Sequence, residues 1–438
     1  MTMPTLPASS SPIAAGRPAL ARWSLPAIAL LALLATSSRA DVLADWLKLD
    51  GFGTIGTYMA DDPVALARVD GRQSSGSRDG QWRYDGDTQL SLQATVNPTG
   101  RLRGVVQLLA KKNYQGSMRP QLEWGYAAWQ ASPALGFKLG RTILPTYLQS
   151  DYRNLLYAQT WARPTTLFYT HNAVTYQDGL SLQYESDAAG GEFGLEAFAG
   201  RSEVRTQNKD GVNLVKLPQL GGLLLRWSDE HWLLRAGYSR YRIDVILPSP
   251  SQRSLDQLIA LPASQCDNCR EVLQRRYRQH DIDTGLLTLA ATAKLGASSL
   301  QAEWQLRRAN SSFVNNVDAW YVLASHRINR FTPYLAWGRS YIREGNLGLH
   351  AGPAASTALK SQLAFIDGLG LIGNGERRQL DMGLRWDFHE AMALKAQWSR
   401  MDITHRDIGS GQTVVFPIPS SRFDGRVNLY SLNLDFVF

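Results

Sequence analysis

The sequence contains no apolar run of the roughly 18 residues that a membrane-crossing helix needs, and it has only two cysteines and seven histidines in 438 residues. The first absence excludes a bundle of membrane-spanning helices. The histidines (His171, His231, His280, His326, His350, His389 and His405) are scattered, and neither a His-Glu-x-x-His metal pattern nor a Gly-x-Ser-x-Gly nucleophile turn is present. The chain is therefore expected not to be an enzyme and to carry no metal or cofactor. A Ser-His pair assembled across strands, such as His326 with Ser325 or Ser340, is too generic to carry a hydrolase reading.

Charge of one sign is also scarce: 46 Lys and Arg stand against 38 Asp and Glu, a formal net charge of +8. The longest apolar stretch, Leu25 to Ala35, is broken by Pro26, follows Arg17 and Arg22, and leads to small residues Ser38 and Ala40 before Asp41. That is the pattern of a secretory signal, expected to be cleaved after residue 40. Its removal takes away three basic residues and no acidic one, leaving +5. So mild a basicity, on an exported chain and without a clustered basic face, excludes nucleic acid as a partner.

What remains is dominated by period-two alternation in segments of about ten residues separated by turn formers. In Gln89 to Val96 the apolar set is Leu90, Leu92, Ala94 and Val96, with Gln89, Ser91, Gln93 and Thr95 opposite. Only a strand sorts these residues cleanly. The same sorting recurs at Leu300 to Leu306 and at Leu380 to Phe388. The spacing predicts strands over Leu47 to Tyr58, Thr88 to Val96, Leu102 to Lys111, Leu122 to Gln130, Gly136 to Ile143, Gly179 to Glu185, Phe193 to Arg201 and Leu220 to Trp227. It predicts eight more over Trp232 to Asp244, Asp281 to Lys294, Ser299 to Arg308, Val317 to Arg327, Phe331 to Tyr341, Arg378 to Phe388, Met392 to Ile403 and Val427 to Phe438, sixteen in all.

Connection lengths alternate as well. Tight turns such as Asn97-Pro98-Thr99-Gly100 and Gly296-Ala297 interleave with long stretches: Asp61 to Gly86, Thr142 to Asp178, Ile246 to His280 and Ile342 to Glu376. An even strand count with short turns on one side and long loops on the other predicts an all-β transmembrane antiparallel barrel, with short periplasmic turns and long external loops. A sandwich gives no reason for that rhythm. On the last strand Tyr430, Leu432, Leu434, Phe436 and Phe438 oppose Ser431, Asn433 and Asp435, so an apolar face is available for lipid. Trp124, Tyr126, Trp232, Tyr238, Trp304, Trp386 and Trp398 lie on or near apolar faces and suit interfacial girdles.

With its Leu49-Asp50-Gly51-Phe52-Gly53-Thr54 opening strand, its long connection after the fifth strand and its terminal Phe438, the chain resembles the Gram-negative porin superfamily, sixteen-stranded outer-membrane channels. The resemblance implies a homotrimer in contact with outer-membrane lipid and lipopolysaccharide, and a carboxy-terminal strand read by the barrel assembly machinery. It also implies a third external loop folded into the lumen, which falls on residues 142–178. That segment is rich in Tyr147, Leu148, Tyr152, Leu155, Leu156, Tyr157, Trp161 and Phe168, which need a wall to pack on. An inward fold supplies one. The alternatives are a subunit-interface loop or a cap outside the mouth. The chain lacks the acidic Pro-Glu-Phe-Gly-Gly type loop tip of general porins, so that family's constriction residues do not transfer by motif.

From the residues themselves, Arg141, Asp151, Arg153 and Arg163 are the candidate constriction. The polar strand faces offer Arg103, Lys111, Arg226, Arg235, Arg307, Arg385 and Lys395 against Glu123, Glu303, Asp381 and Asp387. The excess of cations predicts a diffusion channel for small hydrophilic solutes with mild anion preference, unless the charges pair across the wall. The alternative is a substrate-specific channel, in which Tyr147, Tyr152, Tyr157, Trp161 and Tyr169 form a ladder for sugars or the arginines select small anions. A plugged transporter is disfavoured because the first strand starts close to the expected cleavage site. An adhesin or envelope-tether role is secondary, with no peptidoglycan-binding segment expected beyond Phe438. Cys266 and Cys269, in a Cys-Asp-Asn-Cys run, are expected to form a disulfide pinning an external loop tip, export favouring this over a metal half-site or a redox motif. The neighbouring Arg270, Arg275, Arg276 and Arg278 read as a solvated or lipopolysaccharide-facing patch.

Overall fold

The computed structural model describes residues 46–438 except 64, 71, 74, 209–210, 343–346, 373–374, 404–414 and 418–424; for 207–208, 365–372 and 415–417 it describes the backbone alone. The expected signal segment, residues 1–40, lies outside the described residues.

The strands are β1 Leu47–Ala60, β2 Ala65–Ala67, β3 Gln89–Thr99, β4 Leu102–Lys111, β5 Gln121–Gln130, β6 Leu135–Ile143, β7 Tyr176–Ala188, β8 Gly191–Asn208 and β9 Gly211–Ser228. The chain continues through β10 Trp232–Ile246, β11 Ile282–Leu295, β12 Ser298–Ala309, β13 Val317–His326, β14 Phe331–Ile342, β15 Gly375–His389, β16 Met392–Ile403, β17 Val415–Pro417 and β18 Arg426–Val437. Among the described residues all but β2 and β17 form one closed sixteen-stranded antiparallel barrel, each strand pairing with its sequence neighbours and β1 closing on β18. β2 and β17 make a separate two-stranded ribbon. All sixteen strands predicted from alternation are present.

Alternation dictates this because closure removes every unpaired sheet edge, and lipid tolerates none. It also sets the sidedness. Leu92, Leu139, Leu223, Leu289, Leu335, Met382 and Leu432 are exposed around the outer surface, whereas Ser91, Gln305, Ser340, Asp381 and Asn433 are buried inside. A polar interior under an apolar exterior inverts the arrangement of a soluble protein and is the layout of a lipid-embedded barrel. Trp232, Tyr238 and Trp386 stand on the exposed exterior. Trp304 and Trp398 share the outer face through their cross-strand partners Leu289 and Tyr430.

Trp124 and Tyr126 do not join that girdle. The β4–β5 register slips between Gln107 and Leu108, so that Leu108 faces Leu122 but Gln107 faces Trp124 and Val105 faces Tyr126. Cross-strand partners share a face, and a bulge inserts one residue and inverts everything beyond it. Trp124 and Tyr126 therefore turn to the lumen beside buried Gln107 and Val105.

Among the described residues four α-helices lie in the long connections: α1 Thr166–Tyr169, α2 Ser249–Ile259, α3 Cys269–Arg276 and α4 Thr357–Ile372. α2 and α3 form a small apolar cluster with residues 347–363, in which Val272 and Leu273 pack with Leu347, Leu349 and Leu363. Cys266 and Cys269 sit in this cluster as a disulfide with Cα atoms 5.5 Å apart.

Candidate functional site

The residues that position the site belong to loop 144–175, between β6 and β7. Its hydrogen bonds reach strands on opposite sides of the barrel. Gln89 on β3 donates to the Asn154 carbonyl, Arg235 on β10 to that of Pro145 at 2.6 Å, and Asn433 on β18 to that of Ala162 at 2.8 Å. A segment that meets the same face of strands all around a closed sheet must lie within it.

The loop's aromatic content is explained by its packing. Tyr147, Trp161, Leu167 and Phe168 form one buried cluster with Val317, Ala319, Tyr321 and Leu323 of β13 and Tyr334, Ala336 and Ile342 of β14, with Tyr169 packed on it. Phe168 and Tyr321 meet edge to face, their centroids 5.1 Å apart. Tyr147 and Trp161 are thus core residues and are not displayed along a solute path, and Tyr157 is tied by its hydroxyl to the Glu390 carbonyl. Of the aromatic ladder expected for sugars, Tyr147, Trp161 and Tyr169 are taken up as packing, while Tyr152 and Tyr157 are half-buried outside that cluster.

Much of the wall charge is spent on holding the loop. Glu303, 3% exposed, accepts from Tyr321 and Tyr169 and from the Leu148 amide at 2.9 Å. Arg307 donates to the carbonyls of His171 and Asn315. Arg385 donates to those of Tyr157 and Gln159 at 2.6 and 2.8 Å while also bonding Asp387. Lys395, with no exposure, donates to the Leu156 carbonyl and pairs with Asp435 at 2.9 Å. Asp381 is buried among Gln379 and Gln397. The Leu156 carbonyl also takes the Gln159 amide within the loop, whereas for those of Tyr157, Gln159 and His171 the charged donors of the wall supply the bond.

The expected constriction residues separate. Arg163 is buried at 4% exposure, its guanidinium bonded to Asp87 and lying 4.6 Å from the Tyr58 ring centroid, a lock between loop 61–88 and the lumenal loop. Arg141 is corrected outright. It follows Leu139, 65% exposed, by two residues, and makes a bidentate bond to Asp178 at 2.7 and 2.8 Å, so it lies on the outer face of the wall. Its nearness in sequence to the loop was misleading, and strand parity decides the face.

Asp151 and Arg153 remain in the lumen on different flanks. Asp151 is exposed and lies within electrostatic reach of Arg235, Glu196 and Tyr126. Lys138 lies 5.7 Å from the Tyr126 ring centroid on the same lumenal face, and exposed Arg103 is close to Tyr126. Arg226 bonds Glu192 at 2.7 Å and approaches Glu185. On the other flank Arg153 joins Asp70, Arg72, Lys111 and Glu123. Burial alone would raise Asp70, but Arg72, then Lys111 and Arg153, more than offset it and hold the carboxyl well below its ordinary range.

Asp70, Arg72 and Asp87 had no signal in the sequence because loop 61–88 has no period. Lys138 and Glu196 did: both lie on polar faces of alternating strands. The buried Ser340 hydroxyl meets His171 Nε2 at 2.7 Å, while the exposed His326 meets half-buried Ser298 instead. Burial, then Arg307 and Arg377, hold His171 well below its ordinary pKa.

No protein-family model matches the sequence, and no curated protein matches it. Solved structures do. An anion-selective porin from Comamonas acidovorans superposes with a TM-score of 0.52 at 11% identity, covering 90% of this chain and 99% of that one. Outer-membrane expressed OmpT of Vibrio cholerae gives 0.50 at 11% identity over 91% and 99%. Salmonella typhi OmpF, in complex with daunomycin, gives 0.50 at 10% identity over 90% and 97%. The fold is that of the porins, and at these identities the likeness speaks to the fold alone.

Proposed function

We propose that this chain is an outer-membrane porin, a passive diffusion channel for small hydrophilic solutes with mild anion preference. The observation that carries the reading is loop 144–175 inside a closed barrel, anchored to β12, β16 and β18 and leaving its charged residues Asp151 and Arg153 beside wall charges. A lumen narrowed by a fixed loop sorts solutes by size, and the charges at the narrowing sort them by sign.

The anion preference is mild because most lumenal cations have acidic counterparts. Lys395, Arg385 and Arg163 are neutralised by Asp435, Asp387 and Asp87. Around the remaining space Arg72, Arg103, Lys111, Lys138, Arg153, Arg226 and Arg235 face Asp70, Glu123, Asp151, Glu185, Glu192 and Glu196, a small excess of positive charge. A hydrolase reading gains nothing from His171 and Ser340. The pair is buried, and arginines rather than a carboxylate flank the imidazole. Export, trimer assembly, lipopolysaccharide contact and recognition of the last strand by assembly machinery belong to the same proposal.

The test is planar-bilayer conductance of detergent-purified protein under a KCl gradient. Stable steps in groups of three, with a reversal potential displaced modestly toward chloride, support the reading. Cation selectivity overturns the charge assignment, and absence of conductance overturns the channel.

A further inference from the structure

Between loop 61–88 and the lumenal loop lies a partly open cavity of about 130 Å³, lined among others by Asp70, Lys111, Gln149, Arg153 and Asn172. Its charges do not cancel. Asp70 bonds Arg72 at 2.6 Å and lies 3.6 Å from Lys111 Nζ, and Glu123 accepts from the Asn154 amide, whose oxygen accepts from Lys111. Arg153 is the third cation of this group. Among the described residues its guanidinium has no hydrogen-bond or ion-pair partner, and burial, then the Arg72 charge, act against its charged form.

Two neutral side chains are incomplete as well. Gln149, 3% exposed, and Asn172 each keep one buried amide atom without a partner. Asp70 and Glu123 favour the charge from a distance without bonding it, so a guanidinium with no bonded partner and two unsatisfied amides share one cavity, an arrangement that is costly unless something completes it.

We propose that this cavity is a binding site for a short monovalent hydroxycarboxylate of three or four carbons, a reading that rests on the chain being a channel and names a solute it selects. One negative charge cancels the excess cation of the cluster. The planar guanidinium fork matches a carboxylate in two-point contact. The hydroxyl supplies both a donor and an acceptor for the amides, which a halide lacks. Size agrees: an engineered protein cavity of about 150 Å³ takes benzene, so the space suits about six non-hydrogen atoms. A tricarboxylate exceeds both the charge and the volume.

The test is isothermal titration of the detergent-solubilised full chain with L-lactate and with propionate, in chloride-poor buffer, for wild type, Arg153→Gln and Gln149→Ala. Saturable binding of one lactate per chain is expected, with propionate several-fold weaker. Arg153→Gln should weaken lactate at least about tenfold, the scale of a lost charge-assisted contact. Gln149→Ala should narrow the difference between lactate and propionate, which keeps the assignment decidable if the arginine variant fails to fold. No saturable heat with lactate, undiminished binding by a folded Arg153→Gln, or equal binding of propionate overturns the proposal. The bilayer experiment separates the two readings: a protein that binds lactate but does not conduct sinks the channel alone, and one that conducts without binding sinks this site alone.

Discussion

Lys395 carries its ammonium to a point with no solvent exposure, between Asp435 and two loop carbonyls, and Asp435 in turn accepts from Thr54 at 2.7 Å. Removing one member of a buried pair leaves the other charge stranded, at a cost of about 3–5 kcal/mol. Lys395→Met should therefore lower the unfolding midpoint in detergent markedly, and the double change with Asp435→Asn should recover part of that loss. His171 sets a pH dependence. Its folded pKa is depressed, so the unfolded chain takes up a proton below about pH 6.5 while the folded imidazole does not, and the contribution of this one group lowers stability by about 1.4 kcal/mol per pH unit on acidification. The carboxyl of Asp70 adds nothing in that window, since it is ionised in both states there. Wild type should thus lose more stability between pH 7 and 5 than His171→Asn, read by denaturant unfolding at the two pH values. Alternation alone assigns Lys395, Glu303 and Asp381 to the polar face of their strands. It is silent on what they bond, because the partners are loop carbonyls brought close by the closed barrel and not by sequence spacing.

Among the elements, the extent of the strands depends on where lipid ends. β8 and β9 run on to Asn208 and back from Gly211, well past the predicted Arg201 and Leu220. Their outer parts carry Glu203, Arg205, Asn213 and Lys216, and a strand clear of the hydrocarbon has no need of an apolar face. The β5 bulge was equally hidden, since one inserted residue leaves local alternation intact while exchanging the faces. Close approach is visible at Gly383 on β15, where a Cβ would collide with the Tyr334 ring and the Ala396 carbonyl. Tyr334 receives the Ala162 amide at 2.9 Å and bonds Gln397, so Gly383→Ala should displace an anchor of the lumenal loop. The measurement is single-channel recording, with frequent sub-level transitions expected in place of steady steps. The external cluster of α2 and α3 is a separate element. Cys266→Ser with Cys269→Ser should speed tryptic cleavage within 247–281 while leaving conductance unchanged.

At the scale of the whole molecule, β1 and β18 lie at opposite ends of the described chain, and their pairing over Phe52 to Ala60 closes the ring, with the β2–β17 ribbon beside it as a second contact between the two ends. The lumenal loop spans that seam from inside. Ala162 is held by Asn433 on β18, Leu156 by Lys395 on β16 and Asn154 by Gln89 on β3, while Arg163 holds Asp87 just before β3. The loop therefore ties the two sides of the seam together from within the ring. The same bonds make the loop an internal clasp, so opening of the seam requires their simultaneous rupture, and the lifetime of the folded barrel is governed by mid-chain residues remote in sequence from either end.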